Sequence, residues 1–214
     1  MIMEKRTKVI LIIFIILGSG ISIFILSRLG FFFTSGGRYD DSKLDYMSVP
    51  WKNMSDINSW NEGYSESDDC PWGFEHNGLD FFFNDSVPVI AMAPGLVESI
   101  EFVDTEADEN RYHIRVNIRF NREVVLGYGF EPWTGDKEKA EKQLDDLEIQ
   151  EGDWVKKGEK IADFVAYDDS AHIHFGLNLN NEAVCPKDYF SEEGYEEMMD
   201  LIHKYHPDWK LCYN

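Results

Sequence analysis

The fold class is decided by residues 112–120, which read YHIRVNIRF. Apolar side chains recur at every second position, from Ile114 through Val116 and Ile118 to Phe120. The intervening polar residues are Arg115, Asn117 and Arg119. Because successive side chains of an extended chain point to opposite faces, this period of two predicts a strand with one face in a core.

On both sides of this strand the sequence consists of short apolar runs separated by residues typical of turns. Strands are predicted at 79–83, 87–91, 96–102, 112–120, 123–127, 160–166 and 172–179. Helices are predicted at 136–147, which is rich in Glu, Lys, Gln and Leu, and at 192–205. Many short strands with few helices favour a mainly β fold, an antiparallel β-sandwich or partly open barrel with a short C-terminal helix.

The N-terminus combines a basic flank with a long apolar run. Lys5, Arg6 and Lys8 precede residues 9–26, which are apolar apart from a few Gly and Ser. At about 1.5 Å per residue this run nearly spans a hydrocarbon core, and no small-x-small cleavage site is evident. Residues 1–33 are therefore predicted to be a basic flank and an uncleaved transmembrane helix. The positive-inside tendency places the N-terminus inside and the large domain outside a cell membrane crossed once.

Beyond the anchor, composition divides the chain into three parts. Residues 34–69 are polar and Gly/Ser/Asp-rich, which predicts a stalk that is partly packed through Trp51 and Trp60. Residues 70–190 form the predicted β domain, and residues 191–214 form a helix and tail. An outside location permits disulfides, and Cys185 and Cys212 could staple the tail, with Cys70 left over, although sequence leaves the pairing open.

Charge excludes one class of partner. The chain of 214 residues has a formal net charge of -20. The first 29 residues carry +3, so the remainder carries -23. Such a surface repels phosphate backbones, and we expect no nucleic-acid partner.

Two short stretches carry metal-binding chemistry, 75–81 (EHNGLDF) and 171–176 (AHIHFG). His76 and Asp80 lie four positions apart around Gly78, so a turn into a strand can bring both side chains together. His172 and His174 are two apart on a predicted strand and share a face. Zinc accepts imidazole nitrogen and carboxylate oxygen, and catalytic sites keep three protein ligands. The stretches predict two histidines and one carboxylate as ligands, with a spare histidine for proton transfer.

These stretches belong to a longer series of motifs. In chain order they are His76-x-Gly78-x-Asp80-Phe81, Pro88-Val89-x-Ala91, Gly95-x-Val97, Gly152-Asp153-x-Val155-x-x-Gly158-x-x-Ile161, His172-x-His174-Phe175 and the stretch 186–190. Across about residues 72–190 the series resembles the lysostaphin-type (LytM-like, duplicated-hybrid-motif) zinc metallopeptidases. The resemblance implies that His76, Asp80 and His174 bind Zn²⁺ and that His172 is the catalytic histidine. It also implies hydrolysis of peptide cross-links in peptidoglycan or similar cell-envelope peptides.

One motif departs from the family. Members usually carry a second catalytic histidine in Tyr-x-His on the middle strand, and the matching residues here are Tyr128-Gly129-Phe130. A phenyl ring at 130 cannot carry a proton. Tyr128 or His113 could take its place, although His113, like His203 and His206, is otherwise predicted to be structural or at the surface.

This departure leaves alternatives to a membrane-anchored zinc endopeptidase. A catalytically degenerate metal-binding or regulatory module on the same fold is the second hypothesis. A carrier domain related to biotinyl or lipoyl domains is the third, with Lys156 or Lys157 in a turn but without the flanking residues such domains need. The glycines at 78, 95, 152 and 158 are predicted to be turn residues.

Overall fold

A computed structural model describes residues 33–213 of the chain. The predicted transmembrane helix lies outside the described residues. Within residues 33–213, no helix has both the length and the apolar character needed to cross a bilayer.

The elements of the described chain are mostly short strands. The strands are β1 (Ile57–Trp60), β2 (Tyr64–Ser65), β3 (Leu79–Phe83), β4 (Pro88–Ile90), β5 (Gly95–Asp104), β6 (Tyr112–Arg119), β7 (Val124–Glu131), β8 (Trp154–Val155), β9 (Lys160–Asp163), β10 (His172–Leu179), β11 (Glu182–Ala183) and β12 (Cys212–Tyr213). The helices are α1 (Lys137–Asp145) and α2 (Glu192–Tyr205). The predicted mainly β class with a C-terminal helix is confirmed. All seven predicted strands and both predicted helices are present within a few residues of their expected bounds, β7 extending further than predicted.

An antiparallel sheet organises the domain, in the order β1-β3-β10-β7-β6-β5-β8, with β11 paired to β10. Two small two-stranded sheets accompany it, an antiparallel β4-β9 pair and a parallel β12-β2 pair. In the large sheet, the central strands β10, β7 and β6 pair with one another without register shifts. These paired strands are a rigid base on which side chains can be aligned.

The core covers one face of that sheet. Alternate residues of β6 and β7 are buried, as the period of two predicted, and the same alternation holds in β10. The buried set on these strands comprises Ile114, Val116, Ile118, Leu126, Tyr128, Phe130, Ile173, Phe175 and Leu177. Burying each such large apolar side chain contributes about 1.5–3 kcal/mol. The other face of the three strands carries the polar and glycine positions.

Residues assigned to a stalk from sequence pack into this domain. Trp51 and Trp60 are buried against Phe81, with ring centroids 5.7 and 5.2 Å apart. Strand β1 pairs with β3 and closes that edge of the sheet. Met47 is fully buried as well. The sequence predicted partial packing through Trp51 and Trp60, but it did not indicate that this segment adds a strand to the sheet, because its apolar residues are spaced widely among Ser, Asp and Asn.

The C-terminal part is fastened to the same edge. The structure forms the Cys185–Cys212 disulfide, with Cα atoms 6.0 Å apart, and Cys70 is free. Strand β12, which contains Cys212, pairs in parallel with β2. Helix α2 buries Met198, Leu201 and Ile202, so the tail is part of the domain body.

Two of the four glycines predicted to be turn residues have positive φ angles. Gly152 and Gly158 have φ angles of 93° and 79°, which favour glycine. Gly158 lies in the turn between β8 and β9, next to Lys157, whose Nζ donates a hydrogen bond to the backbone oxygen of Tyr46. Gly78 and Gly95 are required for a different reason, because a Cβ at either would lie 2.5 Å from a neighbouring side chain.

Candidate metal centre

The polar face of the sheet aligns the predicted site residues in rows across the strands. His174 on β10 pairs with Asp80 on β3 and with Gly129 on β7. Two residues earlier on β10, His172 pairs with Glu131. Since residues paired in a ladder point to the same face, this register brings the two sequence motifs together from about a hundred positions apart.

Two imidazole nitrogens and the carboxylate group of Asp80 form a small triangle. His76 Nε2 lies 3.2 Å from His174 Nδ1 and 3.3 Å from Asp80 Oδ2. His174 Nδ1 lies 2.9 Å from Asp80 Oδ1. Zinc–ligand bonds of 2.0–2.2 Å in a tetrahedron put ligand atoms about 3.3–3.5 Å apart, so the triangle needs only a few tenths of an ångström of adjustment to hold an ion. His76, Asp80 and His174 therefore form a candidate metal site.

Outer contacts fix the orientation of the first ligand. The Nδ1–H of His76 donates to the carbonyl oxygen of Gly63 at 2.7 Å, which directs Nε2 towards the triangle, where it offers a lone pair to a metal once its proton is lost. The backbone of His76 exchanges two hydrogen bonds with Ser65 on β2. The backbone N–H of Asp80 donates to the carbonyl oxygen of Glu62. The segment before residue 70 thus contributes to the site, which sequence analysis did not anticipate.

Gly78 makes room for His174. A Cβ at residue 78 would lie 2.5 Å from both Cε1 and Nε2 of the His174 ring and 2.8 Å from the carbonyl oxygen of Phe175. Any side chain there would collide with the ring or with a backbone atom inside the sheet. Residue 78 must therefore be glycine because the His174 ring occupies the space that a side chain there would need.

Burial and close carboxylates set the protonation of the metal-free site. Burial opposes protonation of His76, but the Asp80 carboxylate outweighs it and raises the pKa of His76 to about 9. Burial acts against ionisation of Asp80, yet hydrogen bonds from His174 and His76 hold its pKa well below its usual range. Burial, reinforced by the negative charge of Asp80, raises the pKa of Glu62.

His172 lies beside the triangle without belonging to it. Its Nδ1–H donates to the backbone oxygen of Ser170 at 2.8 Å, so its Nε2 is directed away, towards the centre. That Nε2 lies 3.7 Å from Asp80 Oδ2. The ring is held between Phe82 and Trp133, with centroids 5.1 and 5.7 Å away. This oriented, mostly buried imidazole is available for hydrogen bonding or proton transfer to a group bound at the centre.

The structure corrects the position assigned to the missing histidine. Phe130 is fully buried and lies on the core face of β7 with Tyr128, whose hydroxyl accepts a hydrogen bond from the Met92 N–H. Neither side chain can reach the centre. The β7 residue that faces it beside His172 is Glu131, whose Oε2 lies 3.6 Å from His172 Nε2. The motif comparison was off by one position, and one position reverses the face of a strand.

An open groove of about 490 Å³ runs along β7 from the centre. Its floor contains Gly127, Gly129 and Gly176, and a Cβ at any of them would meet other atoms of the protein only at 3.4 Å or more. The fold therefore tolerates side chains at these positions, and their absence keeps the groove deep. The groove walls include Asn77, His113, Arg115, Asn117 and Asn178.

Glu131 is a groove residue that sequence reasoning missed, and His113 was named there only as a possible substitute for the missing histidine. His113 was predicted to be structural or at the surface, yet it lines the groove near Glu131. Burial lowers the pKa of His113, partly offset by the charge of Glu131. The signal was present in the alternation, since His113 has the parity of Arg115 and Asn117 on β6. The remaining histidines are structural or exposed: His206 bonds to the Trp60 carbonyl, and His203 lies on the exposed side of α2.

Solved structures similar to this chain include zinc peptidases of the M23 and lysostaphin type. A zinc-containing peptidase from Vibrio cholerae matches with 19% identity over 65% of this chain and 38% of its own, at a TM-score of 0.44. This chain therefore spans well under half the length of that protein. The catalytic domain of lysostaphin from Staphylococcus simulans matches with 20% identity over 62% of this chain and 91% of its own, at a TM-score of 0.41.

The SpoIIQ–SpoIIIAH pore-forming complex also matches, with 14% identity over 73% of this chain and 97% of the other, at a TM-score of 0.48. No family model and no curated protein matches this chain.

Proposed function

We propose that this chain is a zinc endopeptidase, held at a membrane by its N-terminus and acting outside the cytoplasm on cell-wall cross-links or similar envelope peptides. One observation carries the proposal: His76, Asp80 and His174 converge at the end of an open groove with His172 oriented beside them. The resemblance of the motifs to lysostaphin-type enzymes supplies the substrate class.

The donor set fits zinc. Two imidazole nitrogens and one carboxylate oxygen are the ligand types found in catalytic zinc sites, and the Gly63 carbonyl orients the first of them. When bound there, zinc supplies Lewis-acid polarisation of a substrate carbonyl and makes a water molecule more acidic. His172 presents Nε2 to the same space, where its imidazolium form, with Nδ1–H still bonded to the Ser170 carbonyl, can donate a hydrogen bond to the carbonyl oxygen of the scissile bond.

The groove suits an extended peptide chain. Its glycine floor lets a substrate backbone lie close to the sheet, and Asn77, Asn117 and Asn178 on its walls offer amide donors and acceptors to that backbone. A substrate with small residues at the centre would fit best, because the space left by the missing glycine side chains lies only at the floor of the groove.

Hydrolysis by the purified full chain in detergent tests this proposal. With zinc added, we expect cleavage of glycine-containing cross-linked peptides, abolished by a chelator and restored by zinc. His174→Ala should lose both zinc and turnover. His203→Ala, which removes an exposed imidazole on α2, is the matched control and should keep both. A zinc-loaded parent that cleaves no such peptide would contradict the proposal.

A metal-dependent binding module is the second candidate. It is favoured by one observation, that β7 presents a glutamate rather than a histidine to the centre. This candidate predicts that zinc-loaded protein binds cell-wall peptides in a pull-down without cleaving them over many hours.

The membrane location is a separate part of the proposal and is supported by the apolar run at residues 9–26 with its basic flank. A reporter that fluoresces only in the cytosol, fused after residue 214, should stay dark. A bright fusion would mean the opposite topology.

A further inference from the structure

We propose that Glu131 is a catalytic residue of this centre, the acid–base group that exchanges protons with the reacting water and the leaving amine. This inference rests on the proposed endopeptidase function and adds to it. It assigns to a carboxylate on β7 the role for which sequence comparison sought a histidine at residue 130.

Register places Glu131 in the reacting region. It pairs with His172 across the β7-β10 ladder, in the row adjacent to the Gly129–His174 pair. Its Oε2 lies 3.6 Å from His172 Nε2, and its Oε1 leans over the floor, 3.7 Å from where a Cβ of Gly129 would be. The carboxylate therefore spans the space between the oriented imidazole and the groove floor in front of His174.

The surroundings of Glu131 hold the carboxylate in place without neutralising it. Asn110 donates from Nδ2 to Oε2, fixing the rotamer. The side chain is only 17% exposed. Within residues 33–213, no lysine or arginine forms an ion pair with it, and the one basic side chain with a nitrogen within 4 Å of its carboxylate is His172. A part-buried carboxylate that is held by an amide and faces an oriented imidazole has the position that a proton-exchanging group needs.

The proton balance of peptide hydrolysis closes with this one residue. As the water oxygen forms its bond to the carbonyl carbon, a water proton passes to the Glu131 carboxylate. As the carbon–nitrogen bond breaks, Glu131 returns that proton to the departing nitrogen. The products are a carboxylic acid and an amine, and Glu131 is again a carboxylate, so no other reactant is needed. His172 stabilises the carbonyl oxygen throughout, which separates the two roles.

The isosteric variant Glu131→Gln tests the proposal in the full chain. We expect kcat to fall by about 10²–10⁴-fold, the range for loss of a general acid–base group, with KM changed less than about threefold. Zinc content should stay equal to that of the parent. Glu123→Gln, at the exposed residue immediately before the far end of β7, is the matched control and should keep the parent kcat. Glu131→Asp keeps the charge at a shorter reach and should give an intermediate kcat.

A readout independent of activity accompanies the kinetics. In nitrogen-15 spectra of the metal-free protein, Glu131→Gln should shift the imidazole nitrogens of His172, while Glu123→Gln should not. A parent that cleaves peptides together with a Glu131→Gln variant within threefold of it would overturn this inference and leave the endopeptidase function standing. Loss of zinc from Glu131→Gln would also overturn it, since the residue would then support the metal. A zinc-loaded parent without turnover would overturn both.

Discussion

Replacing Gly78 with alanine should displace a zinc ligand although no ligand residue is substituted. The new Cβ would lie 2.5 Å from Cε1 and Nε2 of His174 and 2.8 Å from the carbonyl oxygen of Phe175. The carbonyl belongs to the β10 backbone, which is hydrogen-bonded within the sheet, and cannot retreat. The His174 ring must therefore move by roughly 0.9 Å to restore an ordinary contact of about 3.4 Å.

That displacement exceeds what coordination tolerates. Metal–ligand distances hold within about 0.2 Å, so a shift of this size breaks the bond from His174 Nδ1. Losing an orienting contact alone costs 10–100-fold in metal affinity, and losing the ligand itself costs at least the upper end of that range. We expect zinc affinity of Gly78→Ala to fall by about 100-fold or more, equivalent to about 2.7 kcal/mol.

Competition with a chromophoric chelator measures the effect, and Gly176→Ala provides a matched control. The nearest atom to a Cβ at residue 176 is the Asn77 carbonyl oxygen, 3.7 Å away, so the same substitution in the same sheet should change zinc affinity less than about threefold. Equal zinc affinity in the two variants would refute the assignment of His174 Nδ1 as a ligand. Thermal melts of both metal-free proteins would show whether folding is affected.

Three further results are expected. Phe130→His should lower the free energy of unfolding by about 3 kcal/mol or more and yield no gain of hydrolysis, because it puts a polar ring into the core; a gain would restore the motif-based assignment. Replacing both Cys185 and Cys212 with serine should cost about 3.5 kcal/mol in denaturant unfolding, from the entropy of a 27-residue loop, while Cys70→Ser should cost under about 0.5 kcal/mol. Because the pKa of His76 is raised to about 9, zinc binding at pH 7 should release about one proton from that imidazole and none at pH 10.5, as titration calorimetry in buffers of different ionisation heat would show; release independent of pH would contradict the Asp80–His76 pairing.

The convergence of the two histidine motifs was predictable because it depends on strand parity. His172 and His174 share a face on any strand, and the His76–Asp80 spacing around Gly78 allows a turn into a strand. The core face of β6 and β7 could be read from the same alternation. Where local periodicity is regular, sequence determines which side chains face the groove.

The comparison with the family motif failed at Phe130, where it disagreed with the alternation of buried and groove-facing residues along β7. Phe130 shares its face with Tyr128 and Leu126, an apolar series that belongs to the core. Following the alternation to the end of β7 would have selected Glu131. His113 was named only as a possible substitute for the missing histidine, because the alternation shows that it shares a face of β6 with Arg115 and Asn117 but not that this face is one wall of a groove.

The contribution of residues 34–69 could not be predicted from local pattern. Strands β1 and β2 are four and two residues long, too short to show a period. The Gly63 carbonyl acts through its position rather than through any side chain, and no residue type marks it. Long-range pairing to β3 and β12 creates these contacts, and a single sequence does not display it.

The packing of this N-terminal segment limits how far the protein can be shortened. A chain starting after residue 65 would leave the outer edge of β3 without a neighbour and uncover Phe81, inviting association between copies. It would also lack the carbonyl that keeps His76 in its metal-ready tautomer. Proteolytic nicks before residue 65 should therefore weaken metal retention and folding together, and the shortest form that keeps both begins ahead of Leu44, the first large apolar residue of the buried cluster.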